Sequence, residues 1–73
     1  MALDVGVIRN EIRRLRFEHG EMTQQQLADK IELTRQTVNA IEQGKYSPSL
    51  EAACRIAAVF RKPLESVFRY EQE

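Results

Sequence analysis

The chain has 73 residues, which makes one domain near the lower size limit at which a hydrophobic core is stable without metals or disulfides. It carries 11 basic and 11 acidic residues, and this balance excludes a general electrostatic attraction to nucleic acid or anionic membrane as the main mode of binding. A core of this size leaves little room for an active site, so a binding protein is favoured over an enzyme.

Cysteine use and hydropathy restrict the cellular compartment. Cys54 is the single cysteine and cannot form an internal disulfide, as is usual for cytosolic proteins. No apolar run approaches the roughly 20 residues of a membrane-spanning helix, and charged residues interrupt the N-terminal region where a signal peptide needs an apolar segment. We therefore expect a cytoplasmic protein that does not bind a membrane.

The first helix is predicted from apolar spacing. Ile8, Ile12 and Leu15 recur at the interval of one helical face. Asn10 can cap this helix, which ends at Gly20.

Helices two and three each begin at a capping residue. Thr23 and Gln26 have the spacing of a capping box, and Thr34 can cap the next helix, which ends at Gly44. The buried sides are predicted from the apolar residues at helical intervals: Leu27, Ala28 and Ile31 in helix two, and Val38 and Ile41 in helix three.

Two more helices complete the chain. Ser49 caps a fourth helix, whose apolar side is predicted to comprise Leu50, Ala53, Cys54, Ala57 and Phe60. Pro63 starts a short fifth helix over residues 64–68, since proline suits a first helical turn and disfavours helix at the residue before it. No strand longer than a few residues is predicted, so the fold class is all-α with five helices in a single domain over residues 1–73.

Helices two and three are joined by only two or three residues, which predicts a steep crossing and a helix-turn-helix over residues 23–43. At about 100° per residue, the side of helix three opposite its apolar residues carries Arg35, Gln36, Asn39, Ala40 and Gln43. Arginine donates two hydrogen bonds to guanine, glutamine and asparagine pair with adenine, and alanine can contact a thymine methyl group. An ordinary solvated face is the alternative, but such a face would usually include acidic residues. Here the first acid is Glu42, toward the buried side, which favours DNA reading.

The segment "MTQQQLADKIELTRQTVNAIEQGKYSPSLEAACRIAAVF" resembles the helix-turn-helix family of the Cro and lambda repressors, also called the Xre family. The resemblance covers roughly residues 8–68, and "TRQTVNAIEQGKYSPSLE" is its most specific part. Within the family, the chain is most similar to small stand-alone regulators such as the cytolysin repressor. Those proteins add a short two-stranded sheet, formed by the chain ends, to the five-helix lambda-repressor-like DNA-binding domain.

The resemblance implies a homodimer that reads a palindromic site on double-stranded DNA, with helix three in the major groove. It also implies roles for individual residues. Base reading is expected from Arg35, Gln36, Asn39 and Ala40, and phosphate contacts from Gln24, Thr34, Thr37, Gln43 and Lys45. Arg16 and Glu42 match an arginine and a glutamate of the family, and we expect them to form a buried or half-buried ion pair between helices one and three.

Two features depart from the family pattern. Glu32 stands in the turn where most members have glycine, which predicts some backbone strain. One additional residue precedes "MTQQ", which predicts a slightly longer loop over residues 18–22. Neither feature lies on the helix that is expected to read DNA.

The two ends of the chain predict a dimer interface. Residues 5–8 are rich in β-branched side chains and interrupted by glycine, so they can pair with residues 68–71 as an antiparallel ribbon. An isolated ribbon is marginal in water and has to pack on another element, here helix five. The predicted interface places Leu64, Val67, Phe68 and Tyr70 against their two-fold equivalents and separates the two reading helices by one DNA turn, roughly 34 Å.

The remaining reactive side chains have ordinary explanations. His19 has no second histidine or cysteine near it and is interpreted as a helix-terminal residue, not a metal ligand. Cys54 is assigned to packing within the core. No catalytic arrangement, cofactor motif or small-molecule site is evident, so we predict a non-enzyme without a cofactor.

Two classes of function remain open. One is a dimeric, sequence-specific DNA-binding regulator, and a repressor is favoured because the chain has no room for an activation or ligand domain. The other is a protein-binding module of the same fold, such as an antitoxin or the partner of another regulator, since a fold alone does not determine function.

Overall fold

The computed structural model describes residues 6–72, which form five helices and a two-stranded sheet. In chain order these elements are β1 (Gly6–Asn10), α1 (Ile12–Glu18), α2 (Gln24–Ile31), α3 (Arg35–Glu42), α4 (Leu50–Phe60), α5 (Leu64–Val67) and β2 (Phe68–Gln72). The predicted five-helix architecture with a terminal ribbon is confirmed. Val5, the first residue of the predicted ribbon, lies outside the described residues. No helix among residues 6–72 is both long and apolar enough to cross a membrane.

The two strands form an antiparallel ribbon in which Ile8 lies opposite Tyr70 and Asn10 lies opposite Phe68. The prediction that Ile8 shares the apolar face of helix one is therefore wrong, because β1 continues to Asn10 and α1 begins at Ile12. Gly6 lies beneath the exposed side chain of Tyr70. A Cβ atom at this position would overlap the end of the Tyr70 ring, so a larger residue would require the ring to move.

Asn10 connects the ribbon to two helices. Its Oδ1 atom accepts a hydrogen bond from the Ile12 backbone N–H at 3.2 Å. The prediction that Asn10 caps helix one is nevertheless wrong, because the N-cap of α1 is Glu11 and Asn10 belongs to β1. Its Nδ2 atom donates to the backbone oxygen of Ile41 in α3 at 3.0 Å. The ribbon is thereby attached directly to the helix expected to read DNA.

All five helices contribute to a single hydrophobic core. Its members are at most 5% exposed and comprise Ile12, Leu15, Leu27, Ala28, Ile31, Val38, Ile41, Ile56, Ala57, Phe60 and Val67. The predicted caps of α2, α3 and α4 are confirmed: Thr23 and Gln26 form a capping box, Thr34 accepts from the Thr37 N–H, and Ser49 accepts from the Ala52 N–H. Hydrogen bonds between near neighbours thus begin three of the helices that enclose the core.

Two residues of α4 were assigned wrongly to its buried side. Cys54 is exposed because it lies about 100° around the helix from buried Ala53. Leu50 has the correct angular position but occupies the first turn of the helix, where its side chain remains 71% exposed. Ile56, which was not predicted, belongs to the core and is 1% exposed.

Val67 also differs from its prediction. It ends α5 and is fully buried against the core of its own chain, so it cannot meet an equivalent residue across a dimer interface. Helix five is one residue shorter than expected, since Phe68 already belongs to β2.

Glu11, between β1 and α1, holds the two ends of the chain together through charge. It accepts a hydrogen bond from Arg14 at 2.9 Å and lies 3.4 Å from Arg69 of β2. The hydrogen bond from Arg14, with the charges of Arg14 and Arg69, lowers the pKa of the Glu11 carboxyl. A carboxyl whose pKa is lowered by folding stabilises the fold above its unfolded pKa, and this contribution disappears as the pH falls through the folded value.

Glu32 terminates α2 in the left-handed region, with φ 59°. We expect Glu32→Gly to increase the free energy of unfolding by about 1 kcal/mol. Glycine removes the strain of the left-handed conformation, and this gain exceeds the additional chain entropy that glycine loses on folding. The glutamate carboxylate is 82% exposed and 3.5 Å from Arg55, so its loss costs little. Urea unfolding measures the change.

A matched control separates backbone strain from a general effect of glycine. Lys30→Gly changes an exposed residue within α2, where glycine should destabilise by about 1 kcal/mol. A Glu32→Gly variant that unfolds more readily than the unmodified protein would show that the turn is not strained.

Candidate nucleic-acid interface

Helix α3 is held close to α2 by a short turn and a small residue. The backbone N–H of Leu33 donates to the Ala28 oxygen at 3.0 Å, and the Ala28 side chain is fully buried. Val38 and Ile41 pack α3 into the core. The opposite side of α3 is consequently directed away from the protein.

The residues predicted to read bases lie together on this outer side. Arg35, Gln36 and Asn39 are exposed, and Ala40 is half-buried beside them. The predicted phosphate contacts surround these residues: Gln43 and Lys45 are exposed where α3 ends, and Thr34 and Thr37 lie at its beginning. The hydroxyl groups of Thr34 and Thr37 are 2.9 Å apart and hydrogen-bonded to each other.

A bidentate ion pair lies directly behind the outer side of α3. Arg16 donates from Nε to Glu42 Oε2 at 2.6 Å and from Nη2 to Glu42 Oε1 at 3.0 Å. The two side chains are 15% and 8% exposed, and Arg16 also donates to the Met22 oxygen at 2.7 Å. Glu42 is the acidic residue of α3, and its charge is neutralised within the protein.

Amide side chains extend this ion pair to the surface. Gln24 Nε2 donates to Glu42 Oε1 at 3.3 Å and to Asn39 Oδ1 at 3.0 Å. Gln43 Nε2 donates to the same Asn39 oxygen at 3.3 Å. Both N–H groups of the Gln24 side chain are therefore used inside the protein, and the predicted phosphate contact from this side chain requires one of those hydrogen bonds to be exchanged.

The sequence match agrees with this arrangement. Residues 12–67 match the sequence model of a helix-turn-helix family, which covers most of the chain and both α2 and α3. The chain belongs to the Xre-type helix-turn-helix family. Members of this family are DNA-binding transcriptional regulators.

Several relatives of this Xre-type chain match over most of their length. It is 42% identical over 66 residues to an uncharacterised helix-turn-helix transcriptional regulator of Archaeoglobus fulgidus, covering 90% of this chain and 93% of that protein. A relative of the same description from Methanothermobacter thermautotrophicus is 45% identical over 67 residues, with 90% and 96% covered. The regulator YgzD of Bacillus subtilis is 41% identical over 66 residues, with 90% and 98% covered.

A solved structure supports the same fold. The crystal structure of a proposed DNA-binding protein from Bacteroides fragilis superposes with a TM-score of 0.73, covering 86% of this chain and all of that chain. Its sequence identity of 17% means that the likeness concerns the fold alone.

The hydrogen bonds that Asn10 and Gln24 make to α3 were not predicted from the sequence. Nothing near Asn10 along the chain indicates that its amide would reach Ile41, 31 residues away. The Gln24 contact with Asn39 likewise joins two helices. A sequence pattern reports helix faces, whereas these hydrogen bonds depend on how the faces are placed against one another.

His19 participates in packing at the end of α1. Its Nδ1 atom lies 2.8 Å from the Leu15 oxygen, and its ring meets the edge of Phe60 with centroids 5.1 Å apart. Within residues 6–72, no group of three metal-ligating side chains is close enough together to hold an ion.

Proposed function

We propose that this Xre-type protein is a homodimeric repressor that reads a palindromic operator with α3 in the major groove, and that it acts on chromosomal DNA in the cytoplasm. The observation that carries the proposal is the outer side of α3, where Arg35, Gln36 and Asn39 are exposed while the nearby Glu42 carboxylate is neutralised by Arg16. A surface with donors and no unpaired carboxylate suits the base edges and phosphates of a major groove.

Phosphate binding is supported at the beginning of α2. The first backbone N–H groups of a helix have no partner within it, and the Thr23 side chain satisfies that of Gln26. The backbone N–H group of Gln24 is thus suited to a DNA phosphate, assisted by the positive end of the helix dipole. Lys45, exposed beyond α3, is the proposed phosphate contact at the other end of the reading helix.

The proposed dimer surface is a shallow apolar concavity on α5 and the ribbon. Leu64, Phe68 and Tyr70, which were predicted from sequence, line it together with Ile8. Tyr70 is 62% exposed and Ile8 is 43% exposed, which leaves apolar area available for a second copy. Ile8 replaces the buried Val67 in the proposed interface.

A salt titration distinguishes this proposal from a protein-binding module of the same fold. DNA binding that neutralises phosphates must lose affinity steeply as salt rises, since bound counterions are released. We expect such a slope on a selected operator and weak binding to unrelated DNA, because the chain has no net charge. Failure to select any sequence from random DNA would overturn the proposed function.

Arg35→Ala and Gln36→Ala are each expected to cost about 1–3 kcal/mol of operator binding, with relaxed preference at particular base pairs, because each removes a base-directed group. Lys45→Ala is the control: it should weaken all sequences alike and reduce the salt slope by about one. Binding isotherms on the operator and its single-base variants measure both effects. Uniform weakening by all three variants would contradict the assigned roles.

A further inference from the structure

The ion pair and the amides on α2 and α3 form one chain of hydrogen bonds in which each group determines the direction of the next. Glu42 is a carboxylate held by Arg16 and can only accept hydrogen bonds. The end of the Gln24 amide that lies 3.3 Å from Glu42 Oε1 must therefore be its NH2 group. An amide oxygen in this position would face the carboxylate without a hydrogen between them.

The same reasoning determines the direction of the Asn39 amide. The Gln24 NH2 group also lies 3.0 Å from Asn39, so the Asn39 atom beside it must be the oxygen. Gln43 donates to this oxygen as well, which occupies both of its acceptor positions. Among the described residues no acceptor is bonded to Asn39 Nδ2, and Asn39 is exposed, so this side chain offers donors and no acceptor to a ligand.

We propose that Glu42, acting through Gln24, makes Asn39 a donor-only reader that selects guanine over adenine. Guanine presents two adjacent acceptors in the major groove, N7 and O6, whereas adenine presents one acceptor and an N6 donor that needs an acceptor from the protein. Residue type alone predicted that Asn39 pairs with adenine, and the hydrogen-bond chain reverses this expectation. Glu42 and Gln24 are positioning residues, since they act on base choice through Asn39. The inference rests on the proposed DNA-reading function.

The test on DNA compares guanine with adenine at the base pair that Asn39 reads. Selection from random DNA with the unmodified protein and with Asn39→Ala identifies that pair as the one where preference disappears. The unmodified protein should favour guanine there by about tenfold. Gln24→Met retains side-chain length but removes the hydrogen-bond donors. The ratio of affinity for guanine to affinity for adenine at this base pair should then fall toward one or invert. Gln24→Ala serves the same purpose if the methionine variant does not fold.

The matched control is Gln25→Met, the same substitution one residue further along α2. Gln25 donates to Asp29 at 2.9 Å and not to Asn39, so its replacement should leave the base ratio unchanged. An adenine preference in the unmodified protein, or a ratio that Gln24→Met does not alter, would overturn the proposal.

A measurement without DNA separates failure of this inference from failure of the proposed function. In nuclear magnetic resonance of the free protein, the side-chain NH2 hydrogens of Gln24 should exchange with water more slowly than those of exposed Gln36, and Asn39→Ala should accelerate them. Equal exchange of Gln24 and Gln36 would refute the hydrogen-bond chain whether or not DNA is bound. Slow Gln24 exchange with no selected DNA sequence would refute the proposed function and, with it, the guanine preference.

Discussion

Glu42→Leu alone is expected to lower the free energy of unfolding by about 3 kcal/mol, because it leaves the partly buried Arg16 guanidinium without a countercharge. Arg16 is only 15% exposed and makes two hydrogen bonds to Glu42, at 2.6 and 3.0 Å. Arg16→Met should cost a comparable amount, since Glu42 is 8% exposed and its carboxylate would keep only the Gln24 amide as a partner.

The double variant Arg16→Met with Glu42→Leu is expected to be more stable than either single variant, because it removes both partly buried charges and leaves neither one without a partner. Urea unfolding of the four proteins gives the coupling energy directly. Glu71→Leu is the matched control, since Glu71 pairs with Arg9 at 3.1 Å but both side chains are about half exposed, and its loss should cost less than about 1 kcal/mol. Single variants no less stable than the double variant would show that the pair is not energetically coupled.

Ile8→Arg is expected to produce a folded monomer that binds a full palindromic site about a hundredfold more weakly, because each half-site would then be held independently. Ile8 is 43% exposed and lies beside Leu64 and Phe68 in the proposed dimer surface. An arginine there places two charges near the two-fold axis without removing a core side chain. Phe68→Arg and Leu64→Arg should have the same effect on assembly, although both residues also pack against the core.

Sedimentation of the free proteins and binding to full and half operators measure the two parts of this prediction. Phe17→Arg is the matched control, since Phe17 is 68% exposed on α1 and does not line the proposed dimer surface. The interface would be refuted if the unmodified protein were monomeric at micromolar concentration, or if Ile8→Arg remained dimeric.

The starts of α2, α3 and α4 were predictable because the signals that set them are local. Thr23 and Gln26, and likewise Thr34 and Thr37, form their capping hydrogen bonds between residues three apart. Such bonds depend on the conformation of one turn and not on the rest of the protein. The strained turn at Glu32 was also predictable, in this case from the family resemblance and not from spacing.

Side-chain burial was predicted less well where it depends on neighbouring elements. Cys54 and Val67 both lie on apolar stretches of the sequence, but Cys54 is exposed and Val67 is fully buried. Helical periodicity identifies an apolar stripe, whereas its width and its ends are set by the elements that cover it. The same limit applies to Ile8, whose spacing fits a helix although it pairs with Tyr70 in the ribbon.

The sequence by itself determined the family, the five helices and the set of polar residues on the outer side of α3, since each follows from residue type and spacing along the chain. Only the tertiary structure decided which hydrogen-bonding groups those residues present. An asparagine side chain always carries both a donor and an acceptor, but in this structure the acceptor oxygen of Asn39 already receives hydrogen bonds from Gln24 and Gln43. The physical reason is that an amide has two nearly equivalent orientations, and the charge of Glu42, brought close by the packing of three helices, selects one of them.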